Sequence, residues 1–431
     1  MLVYRESFGL LIVLVILVGL IARAKFKGVP IWTIMAFASF IAVASGLVNA
    51  NQVESYVDWN VILFLIGMFS IGAIAEDSGL LEYIFSLFTL RARNTRALLY
   101  MIVLLFGLLS AIAVNDAVAA MGSVALIPLA RAAGLDPELA VLALAFSVTV
   151  GSTMTPLGNP QNMLIAVESG IRAPLITFLV FLGPPTVINL FLTAYILEKL
   201  YGLRPRPFRS YAIPEEAIRN RRDAYVSGIA LIVVLALLAV NDYLGLEGRP
   251  LVSEIGVIPF TVAAATYIAS SRPREIIRKV SWSTILFFIV MFIAMAGVWY
   301  SGILNPLFAL ALPRAYRGVQ STLRITAASL AYSQILSNVP FTALFIPYMR
   351  GLGFSSNDPM AWVALAMSTT IAGNLTILGA ASNVIIIEAV ESRYNVTVSY
   401  WRFMRAGVIV TLVNVAVYLA YMIPLSMVVH I

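Results

Sequence analysis

"GSTMTPLGNPQN" (Gly151–Asn162) sets two glycines, two prolines and six polar side chains between two very apolar stretches, "VLALAFSVTV" (141–150) and "MLIAV" (163–167). Proline removes a backbone donor and interrupts a helix. In a hydrocarbon layer, non-helical backbone is tolerated only where it is buried in protein or faces a watery cavity. The stretch therefore predicts the unwound middle of a membrane-crossing helix and not a surface loop.

The composition agrees. The chain is 61% hydrophobic and 11% charged, with a mean hydropathy of +0.94; soluble domains carry about 25% charged residues. An all-α polytopic membrane protein is expected. The net charge of +7 is spread in short clusters between apolar runs, which argues against a nucleic-acid partner. There is no cysteine and one histidine, His430. That inventory excludes thiol chemistry and histidine-based metal or triad chemistry, so neither a transition-metal site nor an enzyme is expected. The first apolar run, Phe8–Ala22, is followed by Arg23, Lys25 and Lys27 and not by a small-residue cleavage site, so it reads as a retained span.

Spans are expected near 7–22, 30–48, 60–75, 138–166, 175–197, 224–241, 255–270, 282–303, 360–388 and 403–428. Two more segments, 97–131 and 320–347, are apolar but interrupted midway. Their arms, about 13–18 residues, are short for a crossing and suit re-entrant hairpins. With both termini outside a plasma membrane, the inner segments hold 21 of the 28 Lys and Arg residues, in the sense of the positive-inside rule. The basic loop Glu198–Arg222 reads as a cytoplasmic connector, with a lipid-headgroup contact as the alternative. It divides the chain into an N-terminal repeat (1–200), a linker (201–222) and a C-terminal repeat (223–431).

The repeat is visible in the sequence. At a shift of 223 residues, Val57–Phe85 matches Val280–Phe308 at thirteen of 29 positions, including Trp59/Trp282 and the pairs Ser78-Gly79/Ser301-Gly302. The same shift puts Asn115 on Asn338, and a shift of 221 puts "GSTMTPLGNPQN" on "AGNLTILGAASN" (Ala372–Asn383). Five crossings per half make the second half inverted, and inverted repeats with broken helices are the signature of a secondary transporter.

The chemistry is expected at four breaks: the hairpin tips "VNDA" (Val114–Ala117) and "SNVP" (Ser337–Pro340), and the two broken helices. Freed carbonyls suit Na⁺, and half-helix N-termini suit an anion. Asp116, ionisable and in the middle of an apolar segment, is the sharpest candidate; capping of the second hairpin arm is the alternative. Its counterpart is Val339, so one half alone has the acid. The candidate substrate and ion ligands are Asn115, Asp116, Gly151, Ser152, Thr153, Thr155, Asn162, Ser337, Asn338, Gly373, Asn374, Thr376 and Asn383. Na⁺ is assigned to Asn115, Asp116 and Asn338. For Asn162 and Asn383, structural capping is an equal alternative.

With "VNDA", "GSTMTPLGNPQN", "SNVP" and "GNLTILGAASN" in this order, the chain resembles the ion-transporter superfamily. That superfamily includes arsenite-efflux permeases, citrate-transporter-like permeases, sodium/proton antiporters of the NhaD type and divalent-anion/sodium symporters. The resemblance implies two re-entrant hairpins, a midplane site at their tips, and scaffold and transport domains in a homodimer with elevator-like movement. The symporters' Ser-Asn-Thr tips are only partly kept. Asn115 and Ser337-Asn338 match, but Asp116 and Val339-Pro340 replace the threonines, which looks more like the arsenite-permease branch. The expected function is alternating-access transport of a small anion or oxyacid, carboxylate or arsenite-like, with Na⁺ or H⁺ as the coupling ion and no other cofactor. A Na⁺/H⁺ antiporter without organic substrate and a passive channel are the alternatives.

Overall fold

The computed structural model describes residues 2–25, 30–208, 213–313 and 318–428. Expectations that rest on Lys27, on Arg209 of the linker and on His430 lie outside them. Every regular element among the described residues is a helix; the one bridge, between Asn94 and Pro207, is isolated.

The first half comprises α1 (Leu2–Lys25), α2 (Ile31–Ala44), α3 (Trp59–Ser78), α4 (Leu80–Thr89), α5 (Thr95–Ile112), α6 (Asn115–Ala133), α7 (Pro137–Gly151), α8 (Pro160–Glu168) and α9 (Pro174–Leu200). The single turn α10 (Pro214–Ala217) lies in the linker. The second half continues with α11 (Arg221–Leu246), α12 (Val257–Ala269), α13 (Pro273–Ile276), α14 (Trp282–Ser301), α15 (Asn305–Ala311), α16 (Gly318–Leu336), α17 (Asn338–Gly351), α18 (Pro359–Ile371), α19 (Ala381–Tyr394) and α20 (Tyr400–Ser426).

The match of the two Ser-Gly pairs between the repeats has a local cause. Gly79 (φ 83°) and Gly302 (φ 72°) are left-handed caps that stop α3 and α14, a conformation glycine adopts without the Cβ penalty. The Ser78 and Ser301 hydroxyls each donate to the carbonyl three residues back. Both broken helices also appear where the sequence puts them. α7 ends at Gly151, a 3₁₀ turn covers Ser152–Met154, and α8 restarts at Pro160; α18 ends at Ile371 and α19 restarts at Ala381. Leu139–Gly151 and Ala361–Ile371 are buried at every position. A helix that is apolar all round belongs inside, and these two form the centre of the protein.

Three of the four hairpin arms reach or just pass the upper end of the expected length. α5 and α6 have 18 and 19 residues, and each is long and apolar enough to cross a membrane, as are α3, α7 with its 3₁₀ turn, α9, α11, α14 and α20. The arms lengthen because the Asn94 side chain caps α5 by accepting from the Ala97 amide at 2.8 Å, and because α6 runs through Pro128 to a left-handed stop at Gly134. In the second hairpin α16 has 19 residues and α17 has 14. Re-entrance therefore does not follow from arm length.

Two pairs of matched helices run antiparallel. α3 and α14 meet at one end through the Asp77–Lys279 ion pair and at the other through the Tyr56 and Tyr300 rings, 5.9 Å apart. Across α9 and α20, Tyr421 donates to the Val180 carbonyl (3.3 Å), Thr186 bonds Tyr418 (2.6 Å) and Asn189 donates to the Asn414 carbonyl (3.1 Å). Partners ascend one helix as they descend the other. The linker is packed: Arg219 pairs with Glu82 of α4, and its amide donates to the Ser78 carbonyl at 2.9 Å.

Candidate functional site

Each hairpin tip docks on the break of its own half. In the first half the Asn115 amide donates to the Gly158 carbonyl at 2.8 Å, and the Thr155 hydroxyl donates to the Ala111 carbonyl. In the second half the Thr376 hydroxyl donates to the Gln334 side-chain carbonyl at 3.0 Å, and the Gln334 amide donates to the Ala372 carbonyl at 2.8 Å. Thr155 and Thr376 are repeat-matched, as are Ala111 and Gln334, so the same contact is made directly in one half and through a side chain in the other.

The asparagines at the far ends of the breaks also match. The Asn162 amide donates to the carbonyls of Ser152, Thr153 and Thr155 at 3.1, 3.3 and 3.2 Å. The Asn383 amide donates to those of Gly373 and Thr376 at 2.8 and 3.3 Å. Both hold carbonyls that the break frees, so their amides do structural work.

Beyond this the halves diverge. The first break is closed by its own side chains. Asn159 accepts from the Asn162 backbone N–H as the N-cap of α8, and its own side-chain amide donates to Ser152 and to Thr370 of α18. Thr370 donates to Asn162 Oδ1 at 3.1 Å. The Ser152 and Thr153 hydroxyls donate back to the Thr149 carbonyl. Every residue from Gly151 to Pro160 is buried. Gly151 is required where it stands, because a Cβ would lie 1.9 Å from the Gly107 carbonyl oxygen.

The second break leaves several of its polar groups unpaired. Both side-chain atoms of Asn374 lack a hydrogen-bond partner among the described residues, as do Asn383 Oδ1 and Ser382 Oγ; all three residues are fully buried. At the tips, Asn115 Oδ1 and Asn338 Oδ1 are likewise buried without partners. A Cβ built on Gly373 would meet the Asn338 side-chain nitrogen at 3.5 Å, which places that tip against the break. Buried polar groups are ordinarily paired, so this cluster is shaped for something else. Ser337, at the tip, has φ 68° and ψ 156°, a region occupied almost only by glycine and characteristic of strained functional sites.

Asp116 is the second residue of α6. It makes no hydrogen bond to cap the helix, whose N-cap is Val114 without a side-chain bond. It lines a cavity of about 380 Å³ together with Glu76, Lys279 and Ala381. Among the described residues no cluster of His, Cys, Asp and Glu could hold a metal ion.

The sequence profile described as "Citrate transporter" matches residues 11–367. The chain belongs to the citrate transporter family. An uncharacterized transporter of Mycobacterium tuberculosis is 28% identical over 86% of each chain. A silicon efflux transporter of Oryza sativa is 24% identical over 86% of this chain and 88% of its own. In fold the chain is similar to the Alcanivorax borkumensis YdaH transporter (TM-score 0.53, 15% identity, 97% of both chains) and to Neisseria gonorrhoeae MtrF (TM-score 0.55, 15% identity, 97% of this chain and 94% of that one). This citrate transporter family member is thus a multi-pass membrane transporter.

Sequence reasoning missed several residues of the transporter's central network. Asn159 was legible: an asparagine before a proline is an N-cap followed by a favoured first helical residue. Thr370 and Gln334 carry no such signal, since their partners come from elements far away in the chain.

Proposed function

We propose that this transporter is a secondary carrier that moves a small anion or oxyacid, carboxylate or arsenite-like, by alternating access coupled to Na⁺ or H⁺. The observation that carries this reading is the uneven satisfaction of the two breaks. The buried amide and hydroxyl groups of Asn374, Ser382, Asn383, Asn115 and Asn338 offer neutral donors and acceptors without partners. The N-termini of α6 and α19 line the Asp116 cavity and that of α17 lies against Gly373 of the second break; helix N-termini favour negative charge. Asp116, with no ion pair among the described residues, repels an anion until a cation or proton neutralises it, which ties substrate binding to the coupling ion. The antiparallel pairs α3/α14 and α9/α20 support the inverted relation of the halves. The rice relative's silicon efflux supports a hydroxylated acid as the substrate class.

The second reading is Na⁺/H⁺ exchange without an organic substrate, favoured by the lone carboxylate of Asp116 in its cavity. Proteoliposome flux separates the two. Uptake of citrate, arsenite or silicic acid driven by a Na⁺ or pH gradient is expected. Dissipation of a pH gradient by Na⁺ alone, with none of these solutes moving, would replace the first reading by the second. Non-saturating flux without coupling would defeat both.

A further inference from the structure

A second cavity, of about 290 Å³, lies at the opposite ends of α3 and α14 from the Asp116 cavity, beside Tyr56, Tyr300 and Arg350. Its walls are repeat counterparts of the first. Phe292, Ala343 and Leu164 line it where Phe69, Ala120 and Ile385 line the Asp116 cavity. One cavity therefore opens at the Asp77–Lys279 end and its counterpart at the Tyr56–Tyr300 end.

The two differ in depth. The first reaches Val114, Asp116 and Ala117 of its hairpin tip; the second stops at Ala343 and touches no tip residue. Two substitutions between the repeats account for the difference. Gly72 faces the first tip, and a Cβ there would meet only Ala117 at 3.9 Å. Its counterpart Met295 is a long side chain, 3% exposed, in the wall of the second cavity. Glu76, at the mouth of the first cavity, is replaced by Trp299 at the mouth of the second. Across that second mouth Glu168 of the first half pairs with Arg350 of the second at 2.6 Å.

We propose that these cavities are the two access routes to one central site, and that Met295 is the plug of the closed route, with the Glu168–Arg350 pair as its latch. This rests on the transport reading above. It adds which side chain blocks which path, and that the open and closed routes are built unequally. Met295 must move before a solute at the second tip reaches the Tyr56–Tyr300 side, whereas Gly72 leaves the other side open.

The chain contains no cysteine, so single thiols report cleanly. Ala117→Cys at the first tip and Val339→Cys at the second are each reconstituted in vesicles and exposed to a membrane-impermeant methanethiosulfonate from one side or the other. Each is expected to react from one side only, on opposite faces. The Val339→Cys rate should be at least about tenfold lower, as for a route open in a minor state. Met295→Gly, or Met295→Ala where the glycine variant does not fold, should accelerate Val339→Cys, and Gly72→Met should slow Ala117→Cys. Labelling of both thiols from the same face, or no acceleration on shortening Met295, would overturn the assignment. Labelling needs no substrate. A protein that labels as expected but moves no solute would overturn the transport reading alone.

Discussion

Thr370 and Asn162, one from each broken helix, share a 3.1 Å hydrogen bond at the centre of the protein. The bond ties the second half's helix to the first half's break. Its repeat counterpart does not exist, because Thr149, which matches Thr370, donates instead to the Ala145 carbonyl of its own helix. The symmetry of the sequence is thus broken at the hydrogen-bond level, and the two breaks have separate tasks.

Asn162→Ala and Asn374→Ala should therefore behave oppositely. The first takes one donor from each of three buried carbonyls, of which Ser152 keeps Asn159 and Thr155 keeps the Gly158 amide; at about 1–3 kcal/mol for an unsatisfied group, the melting temperature of the purified protein should fall. The second removes two atoms that have no partner and should leave that temperature unchanged or higher, while the stabilisation produced by substrate with its coupling ion disappears. Equal destabilisation by both would remove the distinction between the breaks.

Asp116→Asn keeps the shape of the side chain and removes its titratable charge. Thermal stability is expected to stay near wild type, since the carboxylate makes no ion pair among the described residues. Gradient-driven uptake should be lost, with at most uncoupled exchange remaining. Uptake in proteoliposomes under an imposed Na⁺ or pH gradient decides this, and wild-type coupling would remove Asp116 from the mechanism.

Gly407 in α20 allows the Asn374 carbonyl to approach closely: a Cβ would lie 1.9 Å from that oxygen. Gly407→Ala gains about 1 kcal/mol of intrinsic helix propensity, yet it must displace the second break. Weaker substrate binding is expected, by at least about tenfold, or 1.4 kcal/mol. Gly228→Ala in α11, whose Cβ would meet only a Leu80 methyl at 3.5 Å, serves as the control and should leave binding intact.

Ser337→Gly should relieve about 1–3 kcal/mol of backbone strain, less the entropic cost of glycine. A higher melting temperature with weaker substrate binding is the expected pair of results. A lower melting temperature would show that the Ser337 side chain supports the tip.

Much of this arrangement was legible in the sequence. Prolines at 156 and 160 amid an apolar run marked the first break, and the offsets of 223 and 221 found its twin and both tips. The Ser-Gly pairs stood out because a left-handed cap admits little but glycine. The match of Thr186, Asn189 and Thr193 on α9 with Thr411, Asn414 and Tyr418 on α20 was hidden, because their flanking apolar residues interchange freely against lipid and core. The division between a closed and an unsatisfied break was also out of reach. It depends on Asn159 and Gln161 meeting Thr370 across the two halves, and no local pattern encodes which partner a buried amide finds.

The Gln334 bridge has one more consequence. The first break is fastened to its hairpin through backbone carbonyls, whereas the second hangs on one glutamine side chain with several rotatable bonds, next to the exposed Leu378. Local opening free energies should differ accordingly. In deuterium exchange, the amides of Leu375–Gly379 should be labelled well before those of Ser152–Gly158. The half of the molecule that breathes would then be the half with polar groups to spare.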